Sequence, residues 1–178
     1  MNKTVFIVLS LIFLQSCNKT IFDPENNIGG CLDPNSLNYD STVDFENQSC
    51  EYAYIDQYEI SYYPENDENN DDWDFDLLHL TGVYPADLIL YIQEESDTFF
   101  YSHTIDNQPH NSPCYWTAPE NKKLFNTKYS WELYDDDGLT SYDFIDSGSF
   151  NPIDIAINGK ITSTNGQTQI VLHYSTNP

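Results

Sequence analysis

The chain has 178 residues, with 29 acidic against 6 basic side chains and a formal net charge of −23 at pH 7. None of the basic residues is arginine, so the chain lacks a surface that could neutralise phosphates, and its composition argues against nucleic-acid binding. Hydrophobic residues make up 39% and aromatic residues 15%, which is enough for a folded core despite the charge. Aromatic and threonine-rich composition favours β-structure.

The first residues have the pattern of an export signal. Lys3 precedes an almost wholly apolar run over residues 5–14, which is followed by Gln-Ser-Cys with the cysteine at Cys17. This run is about half as long as a membrane-spanning helix needs to be. The pattern therefore predicts a signal peptide over residues 1–16 and not a transmembrane anchor.

The Leu-Gln-Ser-Cys ending resembles the lipobox of bacterial lipoproteins. This resemblance implies a diacylglycerol on the Cys17 thiol, cleavage just before it and acylation of the new amine, which together give a durable membrane anchor. The alternative is an ordinary signal peptide with a coincidental cysteine. Asn18 follows the cysteine where an inner-membrane retention signal would have Asp. We therefore expect anchorage in the bacterial outer membrane, facing either the surface or the periplasm, through a lipid and tether over residues 17–29.

Three cysteines remain once Cys17 carries lipid. Cys31 and Cys50 are the ends of a 20-residue segment rich in Asn and Asp, which cannot bury a core of its own. A disulfide between them is the economical pairing, with a stabilisation of about 3 kcal/mol. Cys114 is then unpaired among residues expected to be buried, and an inert core thiol is favoured there over a nucleophile.

Residues 30–52 contain a spaced motif around the two bracketing cysteines. Its parts are Gly30-Cys31-Leu32-Asp33-Pro34, Asn38-Tyr39, Asp44 and Ser49-Cys50-Glu51-Tyr52. The motif resembles a short Cys-bracketed module, GC-x-D-P … NY … D-x-GSC-x-Y, found in secreted and surface proteins of the Bacteroidota. Gln48 departs from the glycine usual in that module. Asp33, Asp40 and Asp44 either ligate Ca²⁺ or, as we favour, form Asx-turns in a small stapled loop.

From residue 53 onward the pattern is that of an all-β protein. Strands are predicted over residues 54–63, 87–93, 98–104, 130–134, 153–157, 160–164 and 167–174. The dipeptides Asn158-Gly159 and Asn165-Gly166 predict hairpin turns. The expected fold is an antiparallel β-sandwich over residues 53–178, preceded by the disulfide-stapled module.

Three carboxylates near one predicted strand end carry the most suggestive chemistry. Asp135, Asp137 and Asp143 fall at offsets of zero, two and eight. Residues two apart at a strand end point the same way, and a folded-back loop can bring the third acid to them. A hard cation would give a reason to hold such like charges together. The alternative is a solvated acidic turn, which arises readily in a chain this acidic.

This spacing resembles the third calcium-binding loop of the C-two domains, the calcium-dependent sandwich modules known from synaptotagmins and protein kinase C. The apolar pair Phe144-Ile145 fits that loop, whereas Asp146 replaces its usual glycine. Pro85-Ala86-Asp87 looks like a variant of the exit of the first loop. The resemblance implies a divergent C-two-like domain that binds Ca²⁺. The ligands that it implies are Asp87, Asp135, Asp137 and Asp143, with Asp74 and Asp76 as further candidates at spacings the family does not have.

Catalytic motifs are missing from the sequence. It contains no G-x-S-x-G, no H-E-x-x-H and no phosphate-binding glycine loop. We expect a non-catalytic envelope lipoprotein whose sandwich, stabilised by calcium, binds or spaces a glycan or another envelope protein. A metal-free accessory subunit of an envelope complex and, less favoured, a divergent hydrolase remain as alternatives.

Overall fold

A computed structural model describes residues 27–73, 85–138 and 141–176. The predicted signal peptide, Cys17, Asp74 and Asp76 lie outside these residues. Within the described ranges, no helix is both long and apolar enough to cross a membrane. The elements in chain order are β1 (Gly29–Gly30), β2 (Phe45–Glu46), β3 (Tyr54–Tyr62), β4 (Leu88–Glu94), β5 (Asp97–Tyr101), β6 (Cys114–Thr117), β7 (Tyr129–Asp136), β8 (Tyr142–Phe150), α1 (Pro152–Ile155), β9 (Ala156–Ile157), β10 (Lys160–Asn165) and β11 (Thr168–Ser175).

Two antiparallel sheets form the body of the protein. One has the strand order β6-β3-β11-β10-β9 and the other β5-β4-β7-β8. Buried side chains alternate with partly exposed ones along β7, as expected for a strand with one face against a core. The predicted all-β antiparallel sandwich, preceded by a disulfide-stapled module, is therefore confirmed.

Large apolar side chains from both sheets fill the core. Trp131 on β7 is fully buried, and its indole N–H donates to the Ser163 hydroxyl of the opposite sheet at 2.9 Å. Gly148 on β8 lies under the same indole, where a Cβ would approach to 2.7 Å. Burial of each large side chain contributes about 2 kcal/mol, so this layer holds the two sheets together.

Both predicted hairpins are present. Asn158 and Gly159 have φ values of 50° and 78° and join β9 to β10, as the Asn-Gly turn requires. In the second hairpin Asn165 still pairs with Thr168, so its two-residue loop is shifted by one position, to Gly166 and Gln167.

The strand prediction over residues 153–157 is largely wrong, because the short helix α1 takes up most of that range. The Asn151 side chain caps this helix by accepting from the Ile153 N–H at 3.1 Å, and Pro152 occupies its first turn. Both features favour a helix start. Among the strands of the two large sheets, β6 and β8 fall outside the predicted ranges, and Asp143 lies within β8 instead of on a folded-back loop.

The predicted disulfide between Cys31 and Cys50 is present. The module that it staples packs on the sandwich through Leu37, which contacts the core, and through Tyr52, whose ring lies 3.2 Å from the Lys123 Nζ. Gln48 has a φ of 66°, a left-handed conformation that costs non-glycine residues free energy. Glycine would take this conformation without that cost.

Candidate functional site

Acidic residues from three neighbouring strands meet at one end of the four-stranded sheet, which we call the acid end. In the register of the sheet, Asp135 lies opposite Asp143 on one side and opposite Leu88 on the other. Asp87, just before β4, accepts from the Asp136 N–H at 2.8 Å through its carbonyl oxygen. The strand pairing therefore brings Asp87, Asp135 and Asp143 to the same end of the sheet, although Asp87 is distant in sequence from the other two.

Asp135 has the deepest position of these acids. It is fully buried, and its Oδ1 accepts from the Asp87 N–H at 2.6 Å, which fastens the start of β4 to the end of β7. The Asp87 carboxylate in turn accepts from the Asn107 N–H at 2.6 Å. Asp87 and Asp135 thus have a structural part at the acid end whether or not an ion binds.

Asp137 and Asp143 are exposed above this layer. Partial burial raises the pKa of the Asp137 carboxyl, and the negative charges of Asp143, Asp136 and Asp87 raise it further, against a hydrogen bond from Ser141 that lowers it. A raised carboxyl pKa means that the ionised form is disfavoured by its surroundings. A bound cation would reverse that penalty.

The carboxylate oxygens of the acid end are near one another but do not surround a single point at which an ion could sit. Among the described residues, the one group of three potential ligands with donor atoms all within 4.8 Å is Cys31, Glu46 and Cys50. Two of those three are joined in the disulfide, so that group is not a metal site. At the acid end, the carboxylates of Asp137 and Asp143 offer the hard oxygen donors that Ca²⁺ prefers. The chemistry of these donors fits Ca²⁺, and the side chains would have to rotate to complete a coordination shell.

A cleft of about 680 Å³ opens beside Asp143. Its walls combine aromatic and polar side chains, namely Trp73, Phe144, Asn66, Asp67, Asp143 and Gln167. The loop that forms one wall is ordered by Asp67, whose Oδ1 accepts from the backbone N–H groups of Asn69 and Asp71, each at 2.8 Å. The Asn and Asp residues of this loop, which favour Asx-turns, are the sequence signal that could have indicated an ordered wall.

Cys114 is the free thiol of the described residues, and it is buried. Burial raises its pKa to about 11, so the thiol stays protonated and weakly reactive at neutral pH. The expected burial of an unpaired Cys114 is confirmed, and this environment is that of an inert core thiol. The His173 ring nitrogen and the Glu59 carboxylate, both on the five-stranded sheet, form a hydrogen bond of 2.7 Å. Among the described residues, no nucleophilic side chain is hydrogen-bonded to His173.

Neither a protein-family model nor a curated protein matches the sequence. Solved structures that match include the human GIVD cytosolic phospholipase A2 in complex with an inhibitor and terbium chloride, at 13% identity and a TM-score of 0.43, over 70% of this chain and 18% of that one. The calcium-bound pair of C2 domains from Extended-Synaptotagmin 2 matches at 16% identity and a TM-score of 0.37, over 69% of this chain and 46% of that one.

A C2 domain-containing protein from a putative elicitor-responsive gene matches at 12% identity and a TM-score of 0.34, over 74% of this chain and 97% of that one. The chain thus spans less than half of the length of the first two structures. These likenesses are weak, and the fold of this chain is defined by its own sheets. The solved structures to which this chain is partly similar thus include C2 domains.

Proposed function

We propose that this protein is a non-catalytic, lipid-anchored protein of the bacterial outer membrane whose β-sandwich is stabilised by Ca²⁺ at the acid end. One observation carries the calcium proposal. Three strand ends gather Asp87, Asp137 and Asp143 above the buried Asp135, and partial burial together with the neighbouring negative charges raises the pKa of Asp137. Carboxylate oxygens in this arrangement are suited to a hard divalent cation.

The anchor proposal rests on the sequence. The apolar run over residues 5–14 and the lipobox-like ending at Cys17 support export and lipidation. Removal of residues 1–16 takes away Lys3 and no acid, so the net charge becomes one unit more negative than the −23 of the whole chain. A chain so acidic is repelled by anionic lipid, which supports an anchor that fixes the protein permanently.

Calcium in this protein would have a different use from reversible membrane docking. A lipid anchor already fixes the location, and the body offers only Lys122, Lys123, Lys128 and Lys160 as basic partners for lipid headgroups. We propose that the ion holds the strand ends of β4, β7 and β8 in place and supports contact with a glycan or envelope protein.

The test compares thermal unfolding and calorimetric titration of the purified protein with Ca²⁺ and with chelator. At a free concentration of 100 times the dissociation constant, Ca²⁺ should stabilise the fold by about 2.7 kcal/mol. The double variant Asp137→Asn/Asp143→Asn should lose this response. Asp97→Asn/Asp154→Asn removes the same charge from exposed positions at the opposite end of the sandwich and should keep the response.

Melting temperatures that are equal with Ca²⁺ and with chelator would refute calcium binding. Loss of the response in the control variant as well would show that overall charge, and not the acid end, attracts the ion.

The metal-free accessory subunit is the second candidate, because several acids of the acid end already have protein donors. Asp135 accepts from the Asp87 N–H, and Asp136 accepts from the Thr104 hydroxyl and the Gly138 N–H at 2.7 and 3.1 Å. These bonds stabilise the strand ends without an ion. Titration without detectable heat would favour this candidate.

A further inference from the structure

The outer face of the four-stranded sheet carries a group of aromatic side chains. Residues that point away from the core alternate with buried ones along β4 and β7. Tyr91 pairs with Tyr101 on β5, and Tyr134 pairs with Phe144 on β8, next to Tyr142. We call these five residues the tyrosine face.

The rings of the tyrosine face contact one another across strands. Ring centroids lie 6.0 Å apart for Tyr91 and Tyr101, 6.4 Å for Tyr134 and Tyr142, and 5.8 Å for Tyr134 and Phe144. Tyr101 and Tyr142 also interact through their side chains, and this interaction raises the pKa of Tyr101. The five rings therefore form one continuous surface that spans all four strands.

Hydrogen bonds fix two of the phenol groups in place. The hydroxyl groups of Tyr91 and Thr98 bond at 2.7 Å, and the Tyr134 hydroxyl donates to the Glu132 carboxylate at 2.7 Å. Side chains held in this way lose little conformational entropy when a partner binds. The surface is thus preorganised.

Much of the tyrosine face is open to solvent. Tyr101, Tyr142 and Phe144 have exposed fractions of 56%, 56% and 55%. Single exposed aromatic residues are ordinary, but a contiguous exposed group points to a contact surface. Ile89 beneath is only 4% exposed, so the rings cover the sheet, yet their own outer faces are not covered by the described part of the chain.

The charge of this sheet selects the kind of partner. Strands β4, β5, β7 and β8 contain no Lys, Arg or His. Their acidic residues are Glu94, Asp97, Glu132, Asp135, Asp136, Asp143 and Asp146. The five-stranded sheet, in contrast, carries Lys160 and His173. Glu132 and Asp136 alternate with the buried residues of β7 and so lie on the same face as Tyr134, whereas Asp135 is buried on the core side. These two carboxylates and the electron-rich ring faces on one surface complement a cation.

We propose that the tyrosine face binds an extended polypeptide segment of a partner protein whose arginine or lysine side chains lie on the rings and pair with Glu132 and Asp136. Guanidinium groups are suited to this surface because they stack on aromatic faces and bond to carboxylates at the same time. A neutral glycan would stack on the rings and donate hydroxyl hydrogen bonds to the acids, but it would have no positive charge to pair with them, and anionic lipid would be repelled. The proposal goes beyond the calcium proposal and does not depend on it.

The test measures binding of the purified full chain to a decapeptide of alternating Arg and Gly, with chelator present so that calcium plays no part. Salt at about 150 mM screens charges that are more than about 8 Å apart. The variant Tyr101→Ala/Tyr142→Ala should weaken binding about tenfold or more. The matched control Tyr39→Ala/Tyr115→Ala removes two tyrosines that are 45% and 48% exposed elsewhere and should change binding less than about twofold.

Two further variants keep the test valid if alanine disturbs the sheet. Tyr101→Phe/Tyr142→Phe retains the rings and should bind within about twofold of the original chain. Glu132→Gln retains the rings but removes one charge, and it should weaken binding about threefold. A melting temperature for each variant shows that it is folded.

Three outcomes would overturn the proposal. The first is equal weakening in the face and control variants, which indicates attraction by overall charge. The second is no binding of the peptide at this salt concentration. The third is binding of a neutral oligosaccharide, such as a chitin or cellulose hexamer, that depends on Tyr101 and Tyr142 while peptide binding does not.

Discussion

The stapled module and the acid end are both rich in carboxylates, yet their electrostatics are opposite. In the module, backbone and side-chain hydrogen bonds lower the pKa of Asp33, led by the bond from the Asn35 N–H. Bonds from the Thr42 hydroxyl and N–H do the same for Asp40. At the acid end, burial and neighbouring acids raise the pKa of Asp137. An acidic composition alone therefore does not indicate an ion site.

The difference arises from local geometry. In the turns of the module, an Asp side chain reaches the N–H two residues further on, as Asp33 and Asp40 do at 2.9 and 2.8 Å. That N–H stabilises the ionised carboxylate. In a sheet the neighbour of a side chain is the side chain across the strand, and Asp135 has Asp143 in that place. The module thus stabilises its own carboxylates, whereas the acid end would gain from a cation.

Of the changes that test this difference between the module and the acid end, removal of the disulfide should have the largest effect on stability. Cys31→Ser/Cys50→Ser releases a loop closed over a sequence separation of 19, which should cost about 3 kcal/mol in the free energy of unfolding of the module. Hydrogen exchange of the backbone amides of the module measures this loss. Cys114→Ser serves as the control that keeps the disulfide, and equal protection of the module in both variants would contradict the prediction.

Asp33→Asn tests the stabilising carboxylate. It weakens the bonds from the Asn35 N–H and the Tyr52 hydroxyl and should lower the free energy of unfolding by about 1 kcal/mol at pH 7. Because the folded pKa lies below the unfolded one, this stabilisation is present above the unfolded pKa and is lost as pH falls through the folded pKa. Urea unfolding of the two proteins should therefore give converging free energies of unfolding in acid, below the folded pKa of Asp33, and a difference that persists there would exclude the charged bond as the cause.

Asp137→Asn should have a smaller effect of the opposite sign. With chelator at pH 7 the variant should be more stable by a few tenths of a kcal/mol, about what solvent screening leaves of an exposed charge interaction. The folded pKa of Asp137 lies above the unfolded one, so the native protein is penalised as pH rises through the folded pKa, and the gain of the variant should vanish in acid. Melting curves at pH 7 and in acid measure this.

Addition of Ca²⁺ sharpens the Asp137→Asn experiment. If the acid end binds the ion, the variant should become the less stable protein in Ca²⁺, because it lacks one ligand. A variant that is more stable under both conditions would place Asp137 outside any calcium site.

Local sequence patterns determined much of this protein. The alternation of apolar and polar residues over 129–133 indicated β7, Asn158-Gly159 predicted one hairpin, and the spacing of Cys31 and Cys50 allowed their disulfide. Each of these signals depends on residues close in sequence, where side-chain period and turn conformation act directly. The acids of the acid end could also be selected from sequence, through their spacing near a strand end and the resemblance to C-two domains.

Tertiary structure decided what depends on pairing between distant segments. Asp143 lies opposite Asp135 because β8 pairs with β7 through a register shift between Leu133 and Tyr134, which no local pattern encodes. Tyr101 and Tyr142 meet across a sheet although they are far apart in sequence, so the tyrosine face has no linear signature. Alternation specifies which residues share a face of one strand, but only the order and register of the strands bring those residues together into a surface.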